Sequence, residues 1–262
     1  MKTQPPDKLV PLLLSELSIS QPKDIDLRVI ASHLNATIEH HPLDGCAANI
    51  VGFRGRAIIT VKPSLHRGRT RFSIAHELGH WLYDKKGLYA CDTNDMSGEG
   101  RASPRETRAN RFAAELLMPS KWFRASASGL PLDFGTVEEL AGVYEASRSA
   151  VAIRLLTHGS YLGMLAWYDI SSRKRLNWSF SPDLPNGIFP PRTFPADSPA
   201  FAAVVQMRMV RSTPAEVDSS TWLEGRALEP HVVCEQVMRV GRRALALVWW
   251  PDDRALSEVP EE

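Results

Sequence analysis

Cysteine is scarce in this chain of 262 residues, which contains only three. Cys46, Cys91 and Cys234 are odd in number and far apart in the sequence. A small secreted domain held together by disulfides needs more cysteines in even numbers, so this pattern argues against that class. We expect a reducing compartment and place the protein in the cytoplasm. Cys91 is a candidate metal ligand or redox-sensitive thiol, although an isolated cysteine more often serves as a small apolar side chain.

The sequence near the N-terminus also lacks an apolar run that could cross a membrane. The run from Leu9 to Leu17 is interrupted by Pro11 and Glu16, and it is too short for a bilayer. No clean cleavage site of a signal peptide follows it. We interpret it as a packed helix or arm and expect no membrane partner.

An excess of either charge is absent as well. Lysine and arginine number 31, aspartate and glutamate 30, and the formal net charge is +1. No global field therefore drives the chain onto nucleic acid or an anionic surface. An apolar fraction of 44% suffices for packed cores, in one large domain or in two to three small ones.

Two histidines four residues apart, His76 and His80, are the most informative feature that is present. On a helix, positions i and i+4 share one face, so both imidazoles can reach one metal ion. Zinc held by three protein ligands keeps one position open and lowers the pKa of a bound water to about 7. Glu77 would take the proton from that water and pass it to the leaving amine. The pattern predicts a zinc-dependent peptidase.

Two ordinary core or surface histidines are the alternative interpretation. The flanking apolar residues argue against it, because they have helical spacing, and Thr70 is a candidate N-cap. These apolar residues are Phe72, Ile74, Ala75, Leu78, Trp81 and Leu82.

The segments before this helix predict a small sheet. A helix is expected from Asp24 to Leu34, with Asp24 as a candidate cap, followed by strands at Thr37 to His41, Asn49 to Phe53 and Ala57 to Val61. The fold class is therefore α+β, with a small sheet packed on a zinc-binding helix pair. Such a sheet also offers an edge to which an extended peptide could be added.

A third metal ligand is expected on the next helix, from Ser103 or Pro104 to about Met118. Glu106 is the preferred ligand, and Asn110, one turn later on the same face, would be a supporting polar partner. A capping box between Ser103 and Glu106 is a competing explanation for this glutamate. The competing carboxylates are Glu115 on the same helix and Asp84, Asp92, Asp95 and Glu99 in the polar segment from Asp84 to Arg101.

The segments Arg71 to His80 and Glu106 to Pro119 closely resemble the two signature segments of the ImmA/IrrE family of metallo-endopeptidases. The resemblance is specific over roughly residues 20 to 120. It implies that the zinc ligands are His76, His80 and Glu106 and that Glu77 is the catalytic acid and base. Zn²⁺ is the expected cofactor, with Mn²⁺ as the alternative. The implied substrate is a helix-turn-helix transcriptional repressor, cut during stress or derepression.

The sequence leaves two questions about the site open: the role of a basic cluster and the identity of the oxyanion donor. The basic cluster His66, Arg67, Arg69 and Arg71 lies at the start of the metal helix, where it could bind acidic substrate groups or form a solvated face. A side-chain donor to the developing oxyanion is also expected. Its candidates are Tyr83, Tyr89, His66 and Arg71.

A helix-turn-helix-like segment is predicted after the peptidase region. Thr136 and Glu139 form a capping box for one helix, and Ser147 can cap the next. Between Asp133 and Thr157 there are two basic and four acidic residues. Phosphate contacts need an excess of positive charge, so we predict a structural or protein-docking helix pair and not a DNA reader.

The remainder of the chain predicts a mixed α/β region. Leu162 to Ile170 with Leu176 to Phe180, and Val232 to Val240 with Ala244 to Trp250, have the pattern of two hairpins. A helix is expected from Ser198 to Val210. Such a region is compatible with the GAF-like sensor domain that accompanies the peptidase in IrrE-type proteins. Five tryptophans, at 167, 178, 222, 249 and 250, could line a pocket for a small-molecule effector or simply form core.

These observations together predict three regions. They are a zinc metallopeptidase domain at 1–125, a helix-turn-helix-like segment at 126–160 and a mixed α/β, GAF-like domain at 161–262. The leading hypothesis is an endopeptidase that makes a limited cut in a repressor. The alternative is a regulatory protein that binds a repressor or toxin without cutting it.

Overall fold

The structure is a computed structural model, and it describes residues 4–64, 66–84, 88–90, 103–225 and 231–251. The predictions for Cys91, Asp92, Asp95 and Glu99 lie outside these residues. The chain divides into two compact units. The first comprises Met1–Ser126 and Glu139–Ala150, and the second comprises Ala127–Glu138 and Val151–Glu262.

Helices predominate in the first half of the chain. They are α1 (Pro6–Glu16), α2 (Leu27–His33), α3 (Arg67–Asp84), α4 (Pro104–Leu117), α5 (Ser120–Ala127), α6 (Phe134–Tyr144) and α7 (Arg148–His158), with a 3₁₀ turn at Pro22–Asp24. The strands of this half are β1 (Ala36–His40), β2 (Ala48–Phe53), β3 (Arg56–Val61) and β4 (Leu88–Ala90).

The sheet of the first unit has the order β1-β3-β2-β4. β1 runs parallel to β3, whereas β2 is antiparallel to both β3 and β4. Alternation along β2 and β3 buries Ile50, Ile59 and Val61 and exposes Val51 and Ile58, as expected for strands covered on one face. The three predicted strands are confirmed to within one residue at their ends. β4 was not predicted, because its sequence was interpreted as part of a loop.

Helix α3 packs against β2, β3 and α4. At β2 the backbone of Gly52 lies so close to Trp81 that a Cβ atom there would be 2.6 Å from the indole ring. At α4, a Cβ on Gly79 would be 3.0 Å from the Cα of Ala109. These glycines allow the close packing of α3 between the sheet and α4.

Several helix starts differ from the sequence prediction. Asp26, and not Asp24, caps α2, because its side chain accepts a hydrogen bond from the Arg28 amide at 2.8 Å. α3 begins at Arg67, so Thr70 lies inside its first turn, and its hydroxyl donates back to the carbonyl of His66. Several short polar side chains near a helix start can each serve as its N-cap, and the sequence does not show which of them does.

The helix pair α6 and α7 has the predicted second cap but a different first one. The Asp133 carboxylate accepts from the Thr136 amide, so α6 begins earlier than the predicted box at Thr136. The Ser147 hydroxyl accepts from the Ala150 amide at 3.2 Å, as predicted for α7. The division between the two units passes through both helices.

The second unit contains a five-stranded antiparallel sheet with the order β6-β5-β11-β10-β8. Both predicted hairpins are confirmed, since β5 pairs with β6 and β10 with β11. The elements of the second unit from residue 163 onwards are β5 (Gly163–Asp169), β6 (Arg175–Phe180), β7 (Ile188–Phe189), α8 (Pro199–Phe201), β8 (Ala215–Asp218), β9 (Glu224–Gly225), β10 (Val232–Val240) and β11 (Arg243–Trp249). Mixed α+β architecture is thus confirmed for the described residues.

The predicted helix from Ser198 to Val210 is only partly present. α8 has three residues and continues as a π-helical segment over Ala202–Gln206, after which the chain leaves helical geometry. The wider π turn ends the regular ladder of hydrogen bonds that a longer helix requires. Among the described residues, none of the helices has the length and apolar character needed to cross a membrane.

Candidate metal centre

The centre of α3 is buried on all sides. Every residue from Ser73 to Leu82 is buried, including His76, Glu77 and His80, each only 1% exposed. Charged and imidazole groups are expensive to bury without partners, so their concentration here points to a polar site inside the fold.

Three potential metal ligands converge at this point. The Nε2 atoms of His76 and His80 are 3.1 Å apart, and Oε2 of Glu106 lies 3.1 Å from the former and 3.4 Å from the latter. Ligand atoms about 2.0–2.2 Å from a tetrahedral zinc ion are separated from one another by about 3.3 Å. The distances therefore match a site that one zinc-sized cation can occupy. Within the described part of the chain, this is the one cluster of three His, Cys, Asp or Glu side chains with such geometry.

The opposite ring nitrogens of both histidines contact oxygen acceptors. Nδ1 of His76 lies 2.9 Å from Oδ1 of Asn110, and Nδ1 of His80 lies 2.9 Å from Oδ2 of Asp84. A neutral imidazole that donates from Nδ1 carries its lone pair on Nε2. Two such lone pairs and a carboxylate oxygen repel one another unless a cation lies between them. The donor set therefore fits a divalent metal.

Burial lowers the pKa of His76, and the neighbouring His80 lowers it further. Glu106 opposes this shift without reversing it. A lowered pKa favours the neutral imidazole, which is the form that binds metals.

The structure separates the two explanations that the sequence left open for Glu106. The Ser103 hydroxyl accepts from the Glu106 amide at 3.3 Å, so the serine does cap α4. The Glu106 carboxylate, however, faces His76 and His80. The competing Glu115 is used elsewhere, because its carboxylate accepts from the amide and hydroxyl of Ser120 at the start of α5.

Asp84 is a site residue whose role the sequence analysis missed. It was considered as a metal ligand, but it contacts the far side of the His80 ring and the guanidinium of Arg108, at 2.7 Å. Burial by itself raises the pKa of Asp84, yet the hydrogen bond from His80 and the charges of Arg105 and Arg108 lower it below its usual value. The i,i+4 spacing from His80 is the signal that could have identified this contact.

Two of the four predicted oxyanion donors, Tyr83 and Arg71, have other hydrogen-bond partners. The Tyr83 hydroxyl donates to the carbonyl of Gln4, and burial raises the pKa of Tyr83 to about 12. Arg71 donates to the carbonyl of Ile25. The side chain of Tyr89 lies outside the described residues, and His66 is exposed at the start of α3.

Two members of the basic cluster bind an acid within the same unit. Arg67 and Arg71 contact the carboxylate of Glu145 at 2.8 and 3.3 Å. Glu145 lies in the turn between α6 and α7, with a left-handed φ of 49°. Beside it, a Cβ on Gly68 would be 2.7 Å from the carbonyl carbon of Ala146. The start of the metal helix is therefore packed directly on this turn.

Two histidines from one helix and a glutamate from the next, with a glutamate following the first histidine, define the class of HExxH metallopeptidases. The family model Peptidase M78, described as the IrrE N-terminal-like domain, matches residues 24–156. The chain belongs to this metallopeptidase family, which confirms the resemblance inferred from the two sequence segments.

The other comparisons concern fold and sequence similarity. A solved structure described as a Mycobacterium tuberculosis transcriptional regulator superposes with a TM-score of 0.60 at 12% sequence identity. The match covers 93% of this chain and 76% of that one. At this identity the similarity concerns the fold alone. A search of curated proteins found no significant match to the sequence.

Proposed function

We propose that this protein is an intracellular zinc endopeptidase that makes a limited cut in a helix-turn-helix transcriptional repressor. The observation that carries the proposal is the convergence of His76, His80 and Glu106, with Glu77 beside the first ligand on the same buried helix. Zinc is the preferred ion, because two imidazoles and one carboxylate form a typical catalytic zinc set. Manganese is the alternative.

The ion, when bound, would lower the pKa of a water molecule to about 7 and polarise the scissile carbonyl. His76, His80 and Glu106 would hold it, while Asn110 and Asp84 keep the two imidazole rings oriented. The Glu77 carboxylate would accept a proton as the water oxygen bonds to the carbonyl carbon. It would return that proton to the amide nitrogen as the C–N bond breaks.

The proposed regulatory role is supported by the comparison with a solved structure. The similar solved structure is described as a transcriptional regulator, which is compatible with a function in gene control. A restricted substrate range is also reasonable for a protease inside a cell. Cleavage of a repressor would relieve repression in a stress response.

The regions outside the metal centre are proposed to control access and recognition. We retain the peptidase domain at 1–125, a helix-turn-helix-like pair within 126–160 and a GAF-like domain at 161–262. The helix pair would dock protein and not DNA, since acidic residues outnumber basic ones between Asp133 and Thr157.

We place the proposed small-molecule effector in the second unit, where one loop lines an open pocket of about 420 Å³. It is lined by residues between Phe180 and Phe189 and by none of the five tryptophans suggested from the sequence. Of those, Trp222 and Trp250 are buried, as expected of core residues.

The alternative function is a regulatory protein that binds a repressor or toxin without cutting it. Glu77 argues against this alternative, because a scaffold does not need a buried carboxylate next to the metal ligands. Both functions include binding of a repressor, and they differ in whether the repressor is cut, so a cleavage assay separates them.

The experiment first searches the neighbouring genes for a small helix-turn-helix repressor and then incubates the zinc-loaded protein with it. Glu77→Gln should retain zinc and lose cleavage, because it removes the base and spares the ligands. Glu39→Gln, an exposed change on β1, is the matched control and should cleave normally. Mass spectrometry of the products locates the cut. Cleavage that survives in Glu77→Gln contradicts the assigned role, and an intact repressor with every variant at full zinc occupancy favours the binding alternative.

A further inference from the structure

A line of contacts leads from the metal centre to the segment that precedes α1. One carboxylate oxygen of Asp84 lies 2.9 Å from Nδ1 of His80, and the other accepts from Arg108 at 2.7 Å. The guanidinium of Arg108 lies over the ring of Tyr83, 5.0 Å from its centre. The Tyr83 hydroxyl donates to the carbonyl of Gln4 at 3.0 Å. Side chains of α3 and α4 therefore connect a metal ligand to the N-terminal segment, all within the first unit.

Tyr83 is held between two side chains of α4. Its ring meets Phe112 edge to face, with the ring centres 6.2 Å apart and an angle of 78° between the planes. Phe112 is fully buried, and it follows Arg108 by four residues, so both lie on one face of α4. A guanidinium over an aromatic face and an edge-to-face ring pair are both favourable contacts. Together they restrict the direction in which the Tyr83 hydroxyl points.

The segment Gln4 to Glu16, which we call the N-terminal arm, is attached at two places. Its helix α1 buries four apolar side chains and packs on α4. At the start of the arm, Pro5 and Pro6 have no backbone N–H group and cannot donate a hydrogen bond. The Tyr83 hydroxyl thus supplies a donor where two successive residues of the arm offer none.

Charge connects the metal site with Arg108. The Asp84 side chain is 8% exposed, so solvent screens its contacts with His80 and Arg108 only weakly. A cation at Nε2 of His80 makes the Nδ1–H group a stronger donor, which holds the Asp84 carboxylate more firmly. A firmly held carboxylate in turn fixes the guanidinium that lies over Tyr83. Two events that stabilise one arrangement favour each other, and this coupling acts equally in both directions.

We propose that Arg108 and Tyr83 are positioning residues that couple metal binding at His80 to docking of the N-terminal arm. The docked arm holds Tyr83, and through it Arg108 and Asp84, in the arrangement that orients the His80 ring. Bound metal stabilises the docked arm through the same contacts. Displacement of the arm lowers zinc affinity, which makes the arm a regulatory element of the site. The inference rests on the proposed metal site but not on the cleavage reaction.

The test measures both directions of this coupling in the full chain. Competition with a chelating indicator measures zinc affinity, and amide hydrogen exchange of residues 4–16, with zinc or with a chelator, measures docking of the arm. Tyr83→Phe removes only the hydroxyl that binds Gln4. Tyr161→Phe is the matched control, because the Tyr161 hydroxyl also donates to backbone carbonyls, but those of two residues in the second unit.

A second pair of variants tests Arg108. Arg108→Met removes the guanidinium over Tyr83, and Arg111→Met removes an exposed guanidinium from the same helix. The double variant Tyr83→Phe with Arg108→Met shows whether the two residues act through one route, since changes along a single route are not additive. Circular dichroism checks that each variant is folded.

In the parent protein we expect zinc to slow exchange in the arm by about fivefold, and Tyr83→Phe to weaken zinc binding by about the same factor. Zinc should no longer protect the arm of this variant. Arg108→Met should also remove the protection, and adding Tyr83→Phe to it should change neither measurement further. Tyr161→Phe and Arg111→Met should behave like the parent.

Unchanged zinc affinity in Tyr83→Phe overturns the proposal, because the hydroxyl would then only attach the arm. Additive losses in the double variant also overturn it, because Arg108 and Tyr83 would then act separately. A parent protein that shows the coupling but cuts no repressor would refute the proposed reaction alone. Cleavage without zinc-dependent protection of the arm would refute the coupling alone.

Discussion

At the scale of single residues, each ligand histidine is oriented by a different kind of acceptor. His76 has the neutral amide oxygen of Asn110, whereas His80 has the carboxylate of Asp84, itself paired with Arg108. Such contacts fix the ring tautomer and raise the basicity of the ligating nitrogen. The carboxylate should do this more strongly, because the hydrogen bond to it is assisted by charge.

Replacing Asp84 should therefore weaken metal binding without removing a ligand. We expect Asp84→Ala to lower zinc affinity by about 10- to 100-fold, measured by competition with a chelating indicator. Asp44→Ala, in an exposed loop, serves as the control and should leave the affinity unchanged. Equal affinities for both variants would mean that Asp84 does not orient His80.

A second buried carboxylate has a structural role in the other unit. Glu235 is fully buried, and it accepts from the Ser198 hydroxyl, the Ala200 amide and the Trp222 indole. These donors link β10 to the start of α8 and to the aromatic core around Trp222. All of them point at one carboxylate.

Glu235→Gln should lower the free energy of unfolding by about 2–3 kcal/mol, because its amide group turns a donor towards existing donors. Urea denaturation measures the change. Glu216→Gln, exposed on the neighbouring β8, should change it by less than about 0.5 kcal/mol. Similar losses for both would refute the assigned role of Glu235.

At the scale of elements, the metal centre depends on how closely α3 and α4 pack. The two histidines share α3, but Glu106 belongs to α4, so the distance between these helices sets the ligand separation. A Cβ on Gly79 would lie 3.0 Å from the Cα and 3.2 Å from the carbonyl oxygen of Ala109. Backbone atoms cannot move aside as a flexible side chain can.

Gly79→Ala should therefore push α4 outward, with a loss of about 1–3 kcal/mol in stability and about tenfold weaker zinc binding. Gly142→Ala on α6 is a matched control, since no atom lies within 4 Å of its Cβ position. It should raise stability by about 0.5–1 kcal/mol, as expected for alanine in a helix. Calorimetry and zinc titration test both variants, and tight zinc binding by Gly79→Ala would contradict the packing argument.

At the scale of the whole molecule, the two units should respond differently to metal. All three ligands belong to the first unit. A ligand at a hundredfold excess over its dissociation constant stabilises the folded state by about 2.7 kcal/mol. Its effect should be strongest in the helices that hold it.

Zinc should therefore slow amide hydrogen exchange in α3 and α4, with little change in β10 and β11. Exchange followed by mass spectrometry, with and without a chelator, measures this difference. His80→Ala should abolish the response. Equal protection throughout the chain would indicate that zinc acts on both units.

Features that depend on neighbours along the chain were determined by the sequence itself. The i,i+4 spacing places His76 and His80 on one helix face, and alternating side chains reveal β1 to β3 and both later hairpins. The exact helix starts could not be predicted, because neighbouring polar residues are equally suitable as N-caps. Asp24 and Asp26 are both suitable caps, and only the folded backbone selects Asp26.

Tertiary structure decided the functions of carboxylates that look alike in sequence. Glu106 faces the histidines, Glu115 caps α5, and Asp84 orients His80. Each assignment depends on where one helix ends and how the next packs against it, which spacing along the chain does not encode.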